Sequence, residues 1–356
     1  MAVVFFSGFD LTTDADQFPF LTSNQAFFGT GRYGYGYALY VGGSREFSSF
    51  IDLKAPYDEL FVEFDIKCPL FHAGTSGFFS FLDEDLTFSH TLAMTTESAG
   101  RANVQFTFAN GATLAGPSTG YPIPVNDSWF HIGIYLLVHS SAGAVTVKVD
   151  TGAGPTTILD ASGIDTEAVA GKTLQYFSTH RPAGTGNWSM DNLLVMDGTG
   201  AKDNTFKGPG RVYFQMPTGA GNYSDMTPSA GSNWQNVDEV PPDEDATYNQ
   251  SPTPGHRDSF TVDSWASLIP SGLDIVAVQV NAMARKTDAT AISLFTFLRE
   301  ATTDYDGSNV VVLGDSFVTI ANVAWPIEFW DEDPSDSSSL TPTKLDAMEY
   351  GYAIPV

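Results

Sequence analysis

Apolar and polar residues alternate with a period of two through much of the first half of the chain, which predicts strands that bury one face and wet the other. In Glu59–Lys67, ELFVEFDIK, the residues Leu60, Val62, Phe64 and Ile66 fall on one face and Glu59, Phe61, Glu63, Asp65 and Lys67 on the other. Residues 2–9, 77–82, 92–95 and 103–108 read as further strands, and Asn110-Gly111 is a hairpin signal. WFHIGIYLLVH at 129–139 and AVTVKVD at 144–150 form a pair, and 174–179 and 188–196 close the series. The run 27–41 places Tyr33, Tyr35 and Tyr37 on one face of a half-buried strand with Gly34 and Gly36 opposite, an aromatic platform that suits a sugar ring. Strands of this length, broken by Gly- and Asn-rich turns, predict two packed antiparallel sheets over residues 1–199.

The alternation lapses over residues 200–256, which are rich in Gly, Pro, Asn and Asp and carry Tyr213, Phe214, Tyr223, Trp234 and Tyr248 at intervals. Irregular stretches of this length are uncommon inside compact domains. The spaced aromatics predict an extended arm that grips a neighbouring surface; a solvated linker is the plainer alternative. Regular patterning resumes over 257–356, with strands expected at 258–265, 275–285, 291–300, 310–313, 317–322 and 325–330. In IVAVQVNAMAR the even-numbered face, Val276, Val278, Val280, Ala282 and Ala284, is the expected buried one, and 291–300 is expected to pair with it. One helix is predicted near Thr341 or Thr343, with Pro342 in its first turn, Leu345, Met348 and Tyr350 on a shared face, and Gly351 as its stop. The expectation is therefore an all-β chain: a sandwich, an arm, and a smaller sandwich with one short C-terminal helix.

Charge narrows the partners. Sixteen basic residues stand against forty-two acidic ones, a net −26, so the surface repels phosphate backbones and anionic membranes. Neither nucleic-acid binding nor membrane insertion is expected, and MAVVFFSGFD is neither basic nor apolar enough for an export signal. Aromatic residues at 13%, with 33 glycines and 20 prolines, favour strands and turns over helices. The single cysteine, Cys68, precludes an intrachain disulfide, and its setting in VEFDIKCPL predicts a small buried residue.

The histidines 72, 90, 131, 139, 180 and 256 show no metal-ligand spacing. His131 and His139 share a predicted strand but lie roughly 26 Å apart at ordinary strand rise. GTGRYGYG has no following helix to receive a phosphate. The acidic clusters 83–85, 243–245 and 331–333 offer oxygen ligands that suit calcium, without the spacing of an EF-hand; solvated loop tips are the bland alternative.

SGFD at 7–10, W-x-H-I-x-I at 129–134, V-x-V-x-V-D at 145–150 and MDNLLV at 190–195 together resemble the concanavalin A-like, or laminin G-like, jelly-roll family. The resemblance implies that the last of these strands returns beside the first, over residues 1–199. Calcium would be in keeping with it. Glycosidases of this fold place two carboxylates two residues apart on one strand. Glu63 and Asp65 have that spacing, but Lys67 and Cys68 stand where a further glutamate belongs, and nothing nearby in sequence holds a carboxyl group protonated.

The second half is similar to a module of tailed-bacteriophage structural proteins. The similarity runs through D-G-T-G-x-x-x-N-x-F at 197–206, Arg211-Val212, T-P-S-A-G-S-N-W at 227–234, V-D-E at 237–239, P-D-E-D-x-T-Y at 242–248, V-x-V-N-x-x-A-R-K at 278–286 and L-D-A-M-E-Y-G at 345–351. It implies a virion component of the tail, its fibres or the capsid exterior. The expected reading is a noncatalytic one, with other virion proteins and copies of itself as partners; host-surface glycans are an expected target of the first domain on the strength of its fold and of Tyr33, Tyr35 and Tyr37. The alternatives are a polysaccharide depolymerase that uses Glu63 and Asp65, and a secreted adhesin.

Overall fold

The computed structural model describes residues 3–7, 26–30, 32, 37–41, 47–68, 76–85, 87–98, 100–108, 110–120, 122–180, 188–200, 202–240, 243–287, 292–307, 311–314, 318–319 and 329–356. The chain divides into two compact units, Met1–Val212 and Tyr213–Val356.

The first unit is a two-sheet antiparallel sandwich. One sheet is built from β1 (Val3–Ser7), β2 (Ala26–Thr30), β3 (Tyr37–Val41), β5 (Glu59–Lys67), β11 (Trp129–Leu137), β12 (Gly143–Asp150), β13 (Thr156–Ile164) and β15 (Trp188–Asp197). Its order is β13-β12-β11-β5-β15-β3-β2, with β1 also on β15. The other sheet holds β4 (Phe47–Tyr57), β6 (Ser76–Leu82), β7 (Phe88–Ser98), β8 (Arg101–Phe108), β9 (Thr113–Ala115), β10 (Ile123–Pro124) and β14 (Leu174–His180). Its order is β10-β8-β7-β6-β14-β4, with β9 on β8. The late strand does return beside the first: Phe6 pairs with Leu194.

Period-two alternation explains the core. Leu60, Val62, Phe64 and Ile66 of β5 are fully buried, as are Phe130, Ile132, Ile134 and Leu136 of β11 and Val145 and Val147 of β12. They meet an aromatic layer from the opposite sheet, in which Phe79 lies 4.4 Å from Phe64 and 5.5 Å from Phe177 between ring centroids. Cys68 is buried, as its setting predicts. Gly111 follows β8 at φ 83°, the left-handed conformation that the Asn-Gly hairpin signal anticipates.

The second unit is organised on a six-stranded antiparallel sheet of β16 (Pro217–Ser224), β19 (Arg257–Val262), β21 (Ser293–Glu300), β22 (Thr303–Asp306), β23 (Val311–Val312) and β25 (Met348–Ala353). The order is β16-β19-β25-β21-β22, so the C-terminal strand is central, and β23 joins β21. Two small ribbons accompany it: β17 (Thr227–Pro228) with β18 (Asn249–Gln250), and β20 (Met283–Ala284) with β24 (Val318–Thr319). Helix α1 spans Trp265–Leu268 and α2 spans Pro342–Asp346. Thr341 caps α2, accepting the Lys344 amide at 3.2 Å, with Pro342 at the start as expected.

Two expectations are corrected. Residues 275–285 form no continuous strand: Val278 makes a lone bridge to Trp330, and only Met283–Ala284 is extended into a ribbon. Ile275, Val278 and Val280 instead pack as half-buried side chains on the cluster of Leu298, Trp330 and Leu345, while β25 takes the edge of β21 that they were expected to fill. The expected strand at 258–265 ends at Val262 and turns into α1, so the helix after Thr341 is not alone, and Met348 and Tyr350 lie on β25 rather than on a helix face.

Over the expected arm, the described residues of 200–256 are largely irregular and make hydrogen bonds within their own chain. Phe206, Lys207, Gly208 and Val212 pack on the first unit, while 217–224 is β16 of the second unit's sheet. Among the aromatics, Tyr223 is drawn into the second unit, its hydroxyl donating to Asp304 at 2.8 Å and its ring near Phe297. Tyr213 and Trp234 are half-buried, and Phe214 and Tyr248 are exposed. Backbone donors and acceptors need partners, and here the chain supplies them: Tyr248 and Ser229, for instance, exchange hydrogen bonds across β17 and β18.

Candidate functional site

The outer face of the eight-stranded sheet carries a row of ionisable residues set by register. His131 of β11 lies directly opposite Asp65 of β5 on one side and Asp150 of β12 on the other, and Asp65 in turn faces Asp191 of β15. One position along, Gly133 faces both Glu63 and Lys148. Because these are cross-strand neighbours, their side chains rise from the same face within reach of one another.

Water is excluded from most of this row. Glu63, Asp65, His131 and Asp191 are all under 5% exposed. His131 bridges the two acids, with Nδ1 at 3.0 Å from Asp65 and Nε2 at 3.1 Å from Glu63. Asp65 also accepts from the Arg32 guanidinium and, at 2.9 Å, from the Asn192 side chain. Glu63 accepts the backbone amides of Lys207 at 2.6 Å and Gly208 at 2.8 Å. Arg32, Asn192 and the two backbone amides all reach these acids as donors, which carboxylate oxygens accept.

Asn192 sits in a break in the ladder, where the register between β15 and β5 shifts from Asp191 to Leu194. Its φ of 49° is left-handed, a conformation that asparagine tolerates better than most residues. The kink turns the Asn192 side chain to the row, where its oxygen accepts the Val212 amide at 3.0 Å. Asp191 accepts the amides of Arg32 at 2.8 Å and of Asn192 at 2.7 Å.

Residues 203–212 lie over this face. The Phe206 ring meets Phe61 edge-on at 5.1 Å and has the Lys148 ammonium 4.4 Å from its centroid. A Cβ placed on Gly133 would come within 2.7 Å of that ring, so the glycine is what lets the segment approach. Phe61, which the sequence groups with the wet face of β5, is only 8% exposed for the same reason.

Burial shapes the titration of the row. Asp191 is pushed up to about 6, chiefly because it is buried and further because the Asp65 charge is close, against the lowering effect of its amide donors and Arg211. His131 would be lowered by burial, but its hydrogen bonds and charge contacts with Asp65 and Glu63 outweigh that and raise it above its usual value. The bridging imidazole is thus stabilised as the cation between two acids.

The sign of the resulting pH dependence follows. Between 3.8, its unperturbed value, and about 6, the folded protein retains a proton on Asp191 that the unfolded chain has lost, so stability falls as pH rises through that window. At full burial the fall amounts to at most about 3 kcal/mol. The raised His131 acts in the same direction above 6.5. Urea midpoints for the first unit at pH 4, 5 and 6 are expected to decline less steeply in Asp191→Asn than in the native protein; parallel curves would contradict this assignment.

The sequence singles out Glu63 and Asp65, and the structure joins them through His131. It does not leave them facing an open groove. Sequence reasoning missed Arg32, His131, Asp191 and Asn192, and it found no raised carboxyl near the pair, whereas Asp191 is one. Their signal was a set of polar residues, His131, Asp191 and Asn192, inside strands that are otherwise apolar. Of the proposed sugar platform, Tyr33 and Tyr35 lie outside the described residues, as does the side chain of Tyr37.

The acidic clusters are engaged by the chain itself. Asp83 accepts the amides of Asp85 and Thr87, and Lys172 reaches Glu84 at 2.7 Å and Asp85 at 2.5 Å. Asp243 accepts from Thr247, and Asp245 pairs with Arg285 at 2.5 Å. The Lys344 ammonium meets Asp333, with Asp336 at 2.9 Å. Among the described residues no group of three His, Cys, Asp or Glu is placed to hold a metal ion.

No protein-family model matches the chain, and no curated protein is similar to it. Among solved structures, a cellulose-induced protein, Cip1, is 13% identical with a TM-score of 0.42, the match covering 58% of this chain and all of Cip1. The exoplasmic/lumenal domain of VIP36 in its metal-free form is 13% identical at a TM-score of 0.36, covering 59% of this chain and all of that domain. Domain 4 of AbnA, an extracellular arabinanase from Geobacillus stearothermophilus, is 16% identical at a TM-score of 0.33, covering 54% of this chain and 81% of that one. Likenesses at such identities and TM-scores carry no argument about this chain.

Proposed function

We propose that this protein is a noncatalytic structural component of a phage virion, carried on the tail or the capsid exterior, with its first unit serving as a glycan-binding sandwich. One observation carries the noncatalytic part. Glu63 and Asp65, the acid pair with glycosidase spacing, spend their oxygens on His131, Arg32, Asn192 and two backbone amides, beneath a segment of their own chain. An acid and a nucleophile must each reach a substrate oxygen or carbon, and neither is free to do so. The virion part rests on the ordered motif series from Asp197 to Gly351. Exposed Phe214 and Tyr248 in the second unit are the grips such a component would offer to other virion proteins or to further copies of itself.

Antibody labelling of purified particles in the electron microscope is expected to mark the tail or the outer shell, and unlabelled particles containing no such chain would end the proposal. For the first unit, a glycan array probed with and without calcium is expected to return hits; calcium is the ion the reading allows. A blank array in both conditions removes the glycan role.

A second reading, polysaccharide depolymerase, is favoured by Asp191, a carboxyl raised to about 6 beside Asp65. It requires the full chain to shorten a host-surface polysaccharide and Glu63→Gln to abolish that activity.

A further inference from the structure

We propose that the slot between β19 and β21 is a binding site for an extended strand, and that it accepts α2 and β25 from a second copy of this chain as well as from its own. The inference is independent of the virion reading. Topology is its first ground. β25 lies between β19 and β21 and pairs with both, with Arg257–Phe260 on one side and Phe295–Glu300 on the other. Among the described residues, β19 and β21 share no ladder of their own. Without β25 the sheet parts into β16 with β19 and β21 with β22 and β23, and each piece is left with an edge of unpaired backbone donors and acceptors. An edge of that kind takes up an added strand through main-chain hydrogen bonds, and pockets for alternate side chains set which strand it takes.

The second ground is fit. Gly351 stands opposite Ser259 on one side and Phe297 on the other. A Cβ at that place would run into the Asp258 carbonyl oxygen and lie 2.5 Å from the Phe297 ring, so the slot demands glycine there. Ala353 is fully buried beside Phe295 and Phe297. Glu349 accepts the Asn222 amide at 2.7 Å and the Ser259 hydroxyl at 2.6 Å, and the Tyr352 hydroxyl accepts from Asn249 at 2.9 Å. These demands describe one segment, and a second copy carries it. Residues 340–356 include Lys344, Asp346 and Glu349 as their only charged side chains, so the segment brings almost none of the net −26 that keeps copies apart.

The third ground is the distance in sequence over which the chain's own strand is recruited. Both ladder partners lie far back in the chain, and α2, joined to β25 through Ala347 alone, packs Leu345 on the same cluster as Met348 and moves with it. The entropy of closing a loop grows slowly with its length, and a flexible connection holds its end at an effective concentration of about a millimolar. That is the whole advantage of the chain's own segment over another copy's, because every contact in the slot is the same for both.

The test uses the full chain. Gly351→Val keeps the chain's own strand out of the slot, and a synthetic peptide of residues 340–356 then supplies the strand from outside. The peptide is expected to bind the Gly351→Val chain and to restore the thermal transition of its second unit. It is expected to bind the native chain, whose slot is filled, at least tenfold more weakly, and to lose its binding to the variant when the peptide carries Gly351→Val as well. A Gly351→Val chain that ignores the native peptide would overturn the proposal. Equal binding of the two peptides would do so too, since the slot would then admit unrelated strands rather than this one. A second measurement leaves the slot intact. Arg299 and Glu349 are ladder partners, so chains carrying Arg299→Cys, refolded together with chains carrying Glu349→Cys, are expected to form a mixed disulfide-linked dimer in preference to dimers of either chain alone. The buried Cys68 takes no part. No excess of the mixed dimer at high protein concentration would refute exchange between copies, and it would leave the virion reading as it stands.

Discussion

His131→Leu is expected to destabilise the first unit by about 3–5 kcal/mol, the cost typical of breaking a buried ion pair from one side. The imidazole is the bridge between Glu63 and Asp65, 3.1 and 3.0 Å away, and all three are nearly inaccessible to water. Leucine fills much of the volume but leaves two acids on the same strand face with less countercharge. Arg32 and Asn192 still serve Asp65, and the Lys207 and Gly208 amides still serve Glu63, so Glu63 and Asp65 do not suffer equally. For a unit of this size the loss corresponds to a fall of roughly 10 °C or more in its melting temperature. Calorimetry should show the first transition displaced and the second, from the unit that begins at Tyr213, unmoved. The pair Glu63→Gln with His131→Leu should cost less than the sum of the single changes, because the neutral amide no longer needs a cation beside it. A single-variant loss below about 1 kcal/mol would mean that water reaches the row and screens it.

The same network shows what a linear pattern can and cannot disclose. Alternation along β5, β11 and β12 was legible because each strand has one face against the aromatic core and the period of two leaves no choice of which residues point there. The Thr341 cap, the Asn110-Gly111 turn and the return of β15 beside β1 were legible for similarly local reasons, or through motif order. The row Asp150, His131, Asp65 and Asp191 was not, because it exists only once four strands distant in sequence are in register. Asp191 and Asn192 had the further disguise of a kink: the left-handed Asn192 breaks the alternation, so position alone assigns the pair to the wrong faces.

Residues 275–285 mislead in the opposite way. Their even-numbered face is wholly apolar, but side chains can be half-buried against Leu298 and Trp330 without the backbone joining a ladder. Over the stretch 200–256 composition decides little, because Gly, Pro and Asn look alike in a free arm and in a loop held by buried side chains. What distinguishes the two is a partner elsewhere in the chain, and for residues 226–250 that partner is Asp258.

Asp258→Ala is accordingly expected to cost the second unit about 3–4 kcal/mol and to loosen residues 226–250, because it strands buried donors as well as emptying a site. Asp258 is fully buried on β19 and accepts the Met226 amide at 3.1 Å and the Asn233 side chain at 2.8 Å. The network continues outward: Asn249 donates to the Tyr352 hydroxyl and to the Asn233 carbonyl, both at 2.9 Å, and Asn236 donates to Asn249 at 3.1 Å. Burial raises the Asp258 carboxyl above its usual range and raises the Tyr352 hydroxyl too, so neither charge is held there without cost. Asp258→Asn separates the two contributions. It removes the buried charge, which helps, but it keeps only one acceptor oxygen for the Met226 amide, the Asn233 side chain and the Tyr352 hydroxyl, which does not, and a loss of about 1–2 kcal/mol is expected. Urea unfolding gives the energies, and hydrogen exchange gives their location: faster exchange confined to 226–250 in Asp258→Ala is the expected pattern. Unchanged protection there would mean that β16, β17 and β18 hold the loop by backbone pairing alone. The aromatic residues Trp234 and Tyr248 would then owe their placement to the ribbon rather than to the buried acid.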